Sequence, residues 1–276
     1  MMSTVLSSVM SVAEEPTNVD LSKTCVHSSW TQVLSPLEPI EGELELDWLE
    51  FALSGKSTAA LWIGKQGLVA PMSYQRHANL MAACADSAAR GWPVRFRRSG
   101  GGVVPQGPGI LNLSLARPCD GPPGDLAESV YTDLCELLAG ALAGLGVKAT
   151  ARAVSGSFCD GRFNLAVIGP NDKTARKIAG TAQYWRHAGG RHAVLAHALL
   201  VVDADPATLT AEANRFETAL GSGKHYEMNA LTSVSQAWCD AHPGRDIPSS
   251  LTTELRRQIV AAFSRQCPTG GFHVVT

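Results

Sequence analysis

The amino-acid sequence predicts an α+β fold, in which helices flank a mostly antiparallel β-sheet. Leucine or valine recurs every four residues between positions 126 and 142, which is typical of an amphipathic helix. Residues 149–203 consist of short apolar runs separated by Gly, Asn and Asp, which is typical of strands joined by turns. Because helices and strands do not alternate regularly, the pattern favours hairpins over strand-helix-strand units.

The first half of the chain is predicted to begin with a poorly ordered extension. Residues 1–30 are rich in Ser, Thr and Val without a clear period, and we predict a single domain over residues 31–276 after them. Ordered structure is expected from about Leu44. Apolar spacing and turn residues then predict a helix, a strand, a helix and two strands, over residues 45–53, 59–63, 77–90, 94–97 and 110–115.

The second half is predicted to open with a long helix and to end in a helical portion from about residue 205 to 276. Asp125 followed by Glu128 resembles a capping box at the start of the long helix, which ends at Gly144. Asp205 and Gly221 bracket a later helix. The strands and remaining helices are predicted over residues 149–154, 163–167, 177–184, 194–202, 206–220 and 251–263.

Composition excludes several classes of protein. The 276 residues carry a formal charge of −2 and are 45% hydrophobic, which disfavours disorder and gives no overall charge for binding nucleic acid or an anionic membrane. The longest apolar stretch, residues 193–202, is interrupted by His197 and is too short to span a membrane. The seven cysteines form no C-x-x-C pair, so neither a disulfide framework nor a metal site is indicated. We expect a cytoplasmic protein in a reducing compartment.

A glycine-rich loop between two predicted strands is the first candidate for a functional site. Three consecutive glycines let backbone N–H groups turn toward a bound anion or acyl chain, and an adjacent arginine offers a fork for a carboxylate or phosphate. The alternative is an ordinary hairpin loop with exposed arginines. The segment is not a P-loop, because no G-K-[ST] follows. It consists of Arg97, Arg98, Ser99, Gly100, Gly101 and Gly102.

Three further residues are candidates for chemistry. Cys159 lies in a turn of Gly, Ser and Asp, where a thiol is accessible, although a lone loop cysteine is more often incidental. Lys177 is expected to share a strand face with the small residues Ala179 and Thr181, which leaves room for a ligand; the alternative is an ordinary edge-strand lysine. His197 interrupts an apolar strand, as either a satisfied core histidine or an acid-base group.

Taken in chain order, these segments resemble the superfamily of lipoate-protein ligases, octanoyltransferases and biotin ligases, over about residues 46–205. The family's Arg-x-Ser-Gly-Gly-Gly loop is similar to residues 97–102, and its Lys-Ile-small-Gly-small-Ala-Gln segment to residues 177–183. A later histidine is similar to His197. The resemblance implies the biotin/lipoate protein ligase catalytic-domain fold. It also implies substrate binding by Arg97, Ser99, Gly100, Gly101, Gly102, Gly180 and His197.

Within that superfamily, the loop around Cys159 is similar to that of the cysteine-dependent amidotransferases. ATP-dependent lipoate ligases usually carry Arg-Asn-Asp before the strand that precedes the lysine. In the amidotransferases the loop cysteine holds the acyl group as a thioester, which implies catalytic roles for Cys159 and Lys177. The chain departs from the family at residues 105–106, where Pro-Gln replaces Tyr-His, and at residues 169–174, which we interpret as an enlarged turn.

The resemblance implies an acyltransferase that moves an octanoyl or lipoyl group through a Cys159 thioester onto a lysine of a lipoyl carrier domain. Lys177 would favour the thiolate and carry the proton, while the glycine loop stabilises the oxyanion. The implied partners are the glycine cleavage H protein, 2-oxoacid dehydrogenase subunits or an acyl carrier protein, without a cofactor. Two alternatives stay open: a lipoate or biotin-type ligase that uses ATP and Mg, and a non-catalytic protein that binds lipoate or acylated carriers.

Overall fold

The structure is a computed structural model that describes residues 31–36, 38–168, 174–266 and 274–275. The predicted N-terminal extension and residues 169–173 of the predicted enlarged turn lie outside the described residues. The strands are β1 (Gln32–Leu34), β2 (Thr58–Trp62), β3 (Gly67–Pro71), β4 (Val94–Arg97), β5 (Val104–Gln106), β6 (Ile110–Cys119), β7 (Thr150–Ala151), β8 (Leu165–Ile168), β9 (Ala175–Ala188), β10 (Arg191–Val201) and β11 (Val274–Val275). The α-helices are α1 (Leu44–Leu53), α2 (Leu80–Ala89), α3 (Pro123–Ala143), α4 (Pro206–Leu220), α5 (Val234–Ala241) and α6 (Leu251–Gln266).

The described strands form two sheets. The large sheet has eight strands in the order β11-β1-β2-β6-β10-β9-β8-β7, and its pairs are antiparallel except at β11–β1 and β1–β2. The small sheet has the order β4-β3-β5. Helices flank this mostly antiparallel arrangement, so the predicted α+β fold is confirmed.

The alternation of strand β6 shows how the large sheet separates the main core from the site. Leu111, Leu113 and Leu115 are fully buried and belong to the core cluster that includes Leu134 and Leu138 of α3. The residues between them, Asn112 and Ser114, lie on the opposite face, as the two-residue period of a strand requires. That face is covered in part by α1, and in part by the small sheet with α4.

Several predicted helices are confirmed. Helix α4 begins after Asp205, whose side chain accepts hydrogen bonds from the backbone N–H groups of Ala207 (3.2 Å) and Thr208 (3.0 Å). It ends at Gly221, which has a left-handed φ of 72°. In α6 the four predicted apolar residues are all buried: Leu251, Leu255, Ile259 and Phe263.

The capping box predicted at Asp125 is wrong. Helix α3 begins earlier, with Pro122 as the N-cap and Pro123 in its first turn, and it has no side-chain cap. Proline suits the first helical position because its fixed φ is helical and its missing N–H would have no partner. Glu128 instead forms an ion pair with Arg162. A capping box does occur at Ser233, at the start of α5, a helix that the sequence analysis missed.

The strands differ from the prediction in length. The predicted strand over residues 149–154 is reduced to the two residues of β7, whereas β9 and β10 are longer than predicted and form a hairpin around Gly189 and Gly190. Strands β3, β5 and β11 were not predicted. Strand β1 was not predicted either, and it shows that ordered structure begins before Leu44, where it was expected to start. Among the described residues, no helix is long and apolar enough to cross a membrane.

Candidate active site

A cavity of about 520 Å³ lies between the large sheet, the small sheet and α1. All of the predicted site residues line it except Gly101 and Gly102. Much of the remaining wall is apolar. It includes Phe96, Val104, Ile110, Leu195, Leu199 and Val201. A cavity with an apolar wall and a few grouped polar side chains is suited to a small ligand with a largely aliphatic body.

The Cys159 thiol lies in the loop between β7 and β8, residues 152–164, which we call the cysteine loop, and it faces the glycine loop. Its Sγ accepts a hydrogen bond from the backbone N–H of Gly102 at 3.1 Å, and Nη2 of Arg97 lies 3.9 Å from the same sulfur. Both contacts favour negative charge on the sulfur. Cys159 has a φ of 50°, a left-handed conformation that is uncommon outside glycine. Its carbonyl oxygen accepts from Asn164 Nδ2 at 2.7 Å, which holds this turn.

Two glycines of the loop are required by close contacts. Gly101 has a φ of 106°, and a Cβ at this position would collide with the Cys159 sulfur. A Cβ at Gly102 would collide with the hydroxyl of Tyr226. The glycine loop can therefore approach the cysteine closely only because side chains are absent there.

Arg97 holds the glycine loop in place. Its guanidinium donates to the carbonyl oxygens of Val69 (2.7 Å), Gly100 (2.9 Å) and Gly102 (2.7 Å). Burial lowers the pKa of Arg97 from its ordinary value, and negative charge on Cys159 opposes this effect. Because most of its donors contact backbone carbonyls, the arginine orients the loop and places positive charge near the Cys159 sulfur.

Lys177 lies on β9 and is buried, with 5% of its surface exposed. Its Nζ donates to the carbonyl oxygen of Phe158 and, at 3.2 Å, to that of Cys159. Burial lowers the pKa of Lys177 to about 8, and charges on Cys159 and Asp160 partly oppose the shift. A lysine with such a pKa changes protonation near neutral pH and can accept or donate a proton.

A β-bulge directs Lys177 into the cavity. Three residues of β9, from Lys177 to Ala179, lie opposite only two residues of β8. As a result Ile178 and Ala179 both join the main core, and Lys177 lies beside Gly180, where a Cβ would be 3.0 Å from Nζ. Thr181 donates to the carbonyl oxygen of Phe163. The prediction that Lys177 shares a face with Ala179 and Thr181 is therefore wrong.

His197 belongs to a separate polar group in the cavity wall. Its Nδ1 lies 2.6 Å from Oε1 of Glu45 on α1 and 3.2 Å from the hydroxyl of Ser114. The indole N–H of Trp62 donates to the same hydroxyl at 2.9 Å. Burial raises the pKa of Glu45, but the contacts with His197 and Ser114 outweigh it, so the pKa lies below its ordinary value.

The sequence matches a known protein family over most of its length. A model of the lipoyl protein ligase A/B catalytic domain matches residues 55–237. The chain belongs to this family. The resemblance predicted from the glycine loop, the lysine segment and His197 is thereby confirmed.

Two curated relatives of this lipoyl protein ligase-type domain are informative. An uncharacterized protein of Cupriavidus necator is 52% identical over 234 residues, which cover 80% of this chain and 91% of the relative. An octanoyl-[GcvH]:protein N-octanoyltransferase of Kyrpidia tusciae is 44% identical over 124 residues, which cover 42% of this chain and 40% of the relative.

Solved structures of Thermoplasma acidophilum proteins share the fold. A bipartite lipoate protein ligase, described together with its E2 lipoyl domain, has a TM-score of 0.59 and 20% identity, with coverage of 90% of this chain and 88% of that chain. A putative lipoate protein ligase with bound lipoic acid has a TM-score of 0.61 and 18% identity, with coverage of 90% of each chain. At these identities the likeness shows the fold.

Several residues of the site in this family member were not predicted from the sequence. Asn164 stabilises the turn of Cys159, and its place directly before β8 in the cysteine loop was the available signal. Gln106 and Asn112 form a buried reciprocal amide pair at 2.8 and 3.0 Å. Gln106 lines the cavity at one of the positions where this chain departs from the family pattern. Among the described residues, no cluster of three potential metal ligands occurs.

Proposed function

We propose that this protein is an acyltransferase that moves an octanoyl or lipoyl group through a thioester on Cys159 onto a lysine of a lipoyl carrier domain. The contact of the Gly102 N–H with the Cys159 sulfur carries the proposal. A backbone donor, the Arg97 guanidinium and the cavity meet at one accessible thiol, which is the environment of a reactive cysteine. A loop cysteine without a chemical role would not require a backbone donor and a guanidinium beside its sulfur.

In the first step, the Cys159 sulfur attacks the carbonyl carbon of the acyl donor. Lys177 takes the thiol proton and returns it to the leaving group, which is the lysine amine of an octanoylated carrier or the thiol of an acyl carrier protein. The bond between the carbonyl carbon and the donor atom breaks as the C–S bond forms. In this mechanism backbone N–H groups of the glycine loop stabilise the oxyanion, and the apolar wall of the cavity holds the aliphatic chain.

In the second step, the lysine amine of the acceptor carrier attacks the thioester carbonyl. The C–N bond forms, the C–S bond breaks, and the sulfur leaves as a thiolate. Lys177 accepts the proton that the attacking amine loses, which a lysine with a pKa of about 8 does readily near neutral pH. The overall reaction exchanges one lysine amide for another, or converts a thioester into an amide, so the proposed transfer consumes no ATP.

Two observations support lipoyl carrier domains as partners. The Kyrpidia tusciae relative is named as a transferase that acts from octanoyl-GcvH to protein, and its similarity covers part of both chains. A structural neighbour is a ligase described with its E2 lipoyl domain. Together they support a glycine cleavage H protein, here called an H-type carrier, as the donor of the acyl group, and a lipoyl domain as the acceptor.

A transfer assay with purified carriers tests the proposal. An octanoylated H-type carrier is the donor and an unmodified lipoyl domain the acceptor, with and without ATP. We expect transfer without ATP, and a loss of roughly 10³-fold or more in Cys159→Ser. The matched control is Cys239→Ser, because Cys239 is an exposed thiol on α5 outside the cavity; this variant should keep full activity.

Three outcomes of that assay contradict the proposal. Full activity of Cys159→Ser would remove the thioester from the mechanism. Acceptor modification that requires a free acid together with ATP would identify a ligase that forms an acyl-adenylate. Tight binding of acylated carrier by the wild type without turnover would identify a non-catalytic carrier-binding protein.

A further inference from the structure

We infer that Glu217 on α4 is a positioning residue, which holds the glycine loop so that the Gly102 amide contacts the Cys159 sulfur. The inference rests on the proposed function for its kinetic consequence. It depends on a buried hydrogen-bond network behind the loop, formed by Tyr74, Glu217, Lys224 and Tyr226.

The Glu217 carboxylate is fully buried and surrounded by donors. Its Oε1 accepts from the hydroxyls of Tyr74 (2.7 Å) and Tyr226 (2.8 Å), and from the backbone N–H of Val103 at 3.3 Å. Its Oε2 accepts from the hydroxyl of Ser222. Burial, and then the Glu217 charge, raise the pKa of both tyrosines, so their hydroxyls stay protonated as donors.

Stability alone does not account for this carboxylate. Glu217 lies in the last turn of α4, where the helix dipole disfavours a negative charge. A buried charge is costly unless it is paired, and no lysine or arginine in the described part of the chain forms an ion pair with Glu217. Its hydrogen-bond donors are the N–H of Val103, directly after the glycine loop, the hydroxyls of Tyr74 and Tyr226, and the hydroxyl of Ser222, just after the end of α4.

The network contacts the last two residues of the glycine loop, Gly101 and Gly102, and Val103, which directly follows the loop. Lys224 Nζ donates to the Gly101 carbonyl at 3.2 Å and to the Tyr74 hydroxyl at 3.0 Å. The Tyr226 hydroxyl lies against the Cα of Gly102, where a Cβ would not fit. Glu217 accepts the N–H of Val103, the next residue. The peptide whose N–H contacts the Cys159 sulfur is therefore fixed on both sides.

The same network also contacts the cysteine loop. The Tyr226 ring packs edge to face on Phe158, with ring centroids 4.7 Å apart and an interplanar angle of 71°. Phe158 directly precedes Cys159. Tyr226 thus couples the position of the acceptor sulfur to that of the Gly102 donor, and Glu217 holds the Tyr226 hydroxyl.

This geometry predicts an effect on the chemical step and not on substrate binding. Tyr74, Glu217 and Tyr226 are all absent from the residues that line the cavity. Loss of the carboxylate charge weakens the hydrogen bonds from the Val103 N–H and from both tyrosine hydroxyls, so the Gly102 N–H shifts relative to the sulfur. Hydrogen bonds weaken steeply as their angle departs from linearity.

The test compares Glu217→Gln with Glu212→Gln. Both residues are buried carboxylates on α4, but Glu212 contacts Arg90 and Arg215 instead of the loop. We expect Glu217→Gln to lower kcat about tenfold or more with KM within about twofold. It should slow iodoacetamide alkylation of Cys159 by a similar factor. Glu212→Gln should leave kcat and the alkylation rate unchanged.

Tyr226→Phe serves as the second variant, because it removes one hydroxyl and keeps the ring on Phe158. We expect a smaller loss of kcat and of alkylation rate than in Glu217→Gln. Wild-type kcat and alkylation in folded Tyr226→Phe and Glu217→Gln would overturn the inference, as would equal losses in Glu217→Gln and Glu212→Gln. Alkylation needs no acyl donor, so a wild type that is alkylated normally but transfers no acyl group refutes the proposed function and not the role of Glu217.

Discussion

The backbone amide of Gly102 donates a 3.1 Å hydrogen bond to Sγ of Cys159, a residue 57 positions later in the chain. This contact joins the two segments on which the proposed chemistry depends. It requires glycine at two positions of the loop, an arginine that ties the loop carbonyls together, and a left-handed turn at the cysteine. Each requirement can be tested separately.

Gly101→Ala should damage the site directly. The new Cβ would collide with the Cys159 sulfur. The backbone at this position has a φ of 106°, which is strained for alanine. We expect acyl transfer to fall about 100-fold and the free energy of unfolding to fall by about 1–3 kcal/mol. Transfer kinetics and urea denaturation measure the two effects. Gly161→Ala, where a Cβ has open space, is the control, and equal activity of the two variants would contradict the expectation.

Gly180→Ala should act through Lys177. A Cβ at this position would lie 3.0 Å from both Nζ and Cε of the lysine, so the ammonium must move from the carbonyls of the cysteine loop. We expect a loss of transfer rate of about tenfold, measured in single-turnover assays. Gly140→Ala in α3, which has open space for a Cβ, should transfer normally. A fully active Gly180→Ala would show that the position of Lys177 is unimportant.

The acylation rate of Cys159 should rise with pH and level off above about pH 8. Neutral Lys177 accepts the thiol proton, and its pKa of about 8 sets the inflection. Asp160→Asn removes a negative charge that raises this pKa, so the inflection should move to lower pH. Rapid-quench acylation with an octanoyl thioester measures both profiles. A profile that Lys177→Met leaves unchanged would exclude the lysine as proton acceptor.

His197→Leu should lower the free energy of unfolding. It leaves the Glu45 carboxylate without its imidazole partner. We expect the free energy of unfolding to fall by about 2 kcal/mol, below the value for a fully buried pair, because each side chain is 20% exposed. Urea denaturation measures this, and the double variant Glu45→Gln/His197→Leu should recover part of the loss. Wild-type stability of the single variant would show that the pair contributes nothing.

Sequence patterns predicted those parts of the fold that depend on neighbouring residues. The ends of α4 follow from Asp205 and Gly221, which act on backbone groups within one helical turn. The start of α3 was mispredicted because two signals for a helix start lie close together, a capping-box pattern at Asp125 and a proline at position 123. The helix begins at the proline.

The arrangement of the site depended on contacts that no local pattern encodes. The face of Lys177 changes because of a bulge against β8, which only the pairing of two strands can create. Glu217 lies 114 residues from Val103 in the sequence. Nothing in the local sequence of α4 distinguishes it from an ordinary polar residue on a helix surface. The motifs therefore predicted which residues belong to the site, and tertiary packing determines how those residues contact one another.

Intact-mass measurement of the protein itself tests the central claim most directly. The wild type, Cys159→Ser and Cys239→Ser are incubated with octanoylated carrier in the absence of ATP and acceptor. We predict that the wild type and Cys239→Ser each gain the mass of one octanoyl group, that hydroxylamine removes it, and that Cys159→Ser gains none. An octanoyl group on Cys159→Ser, or none on a wild type that transfers it to an acceptor, would contradict the thioester mechanism.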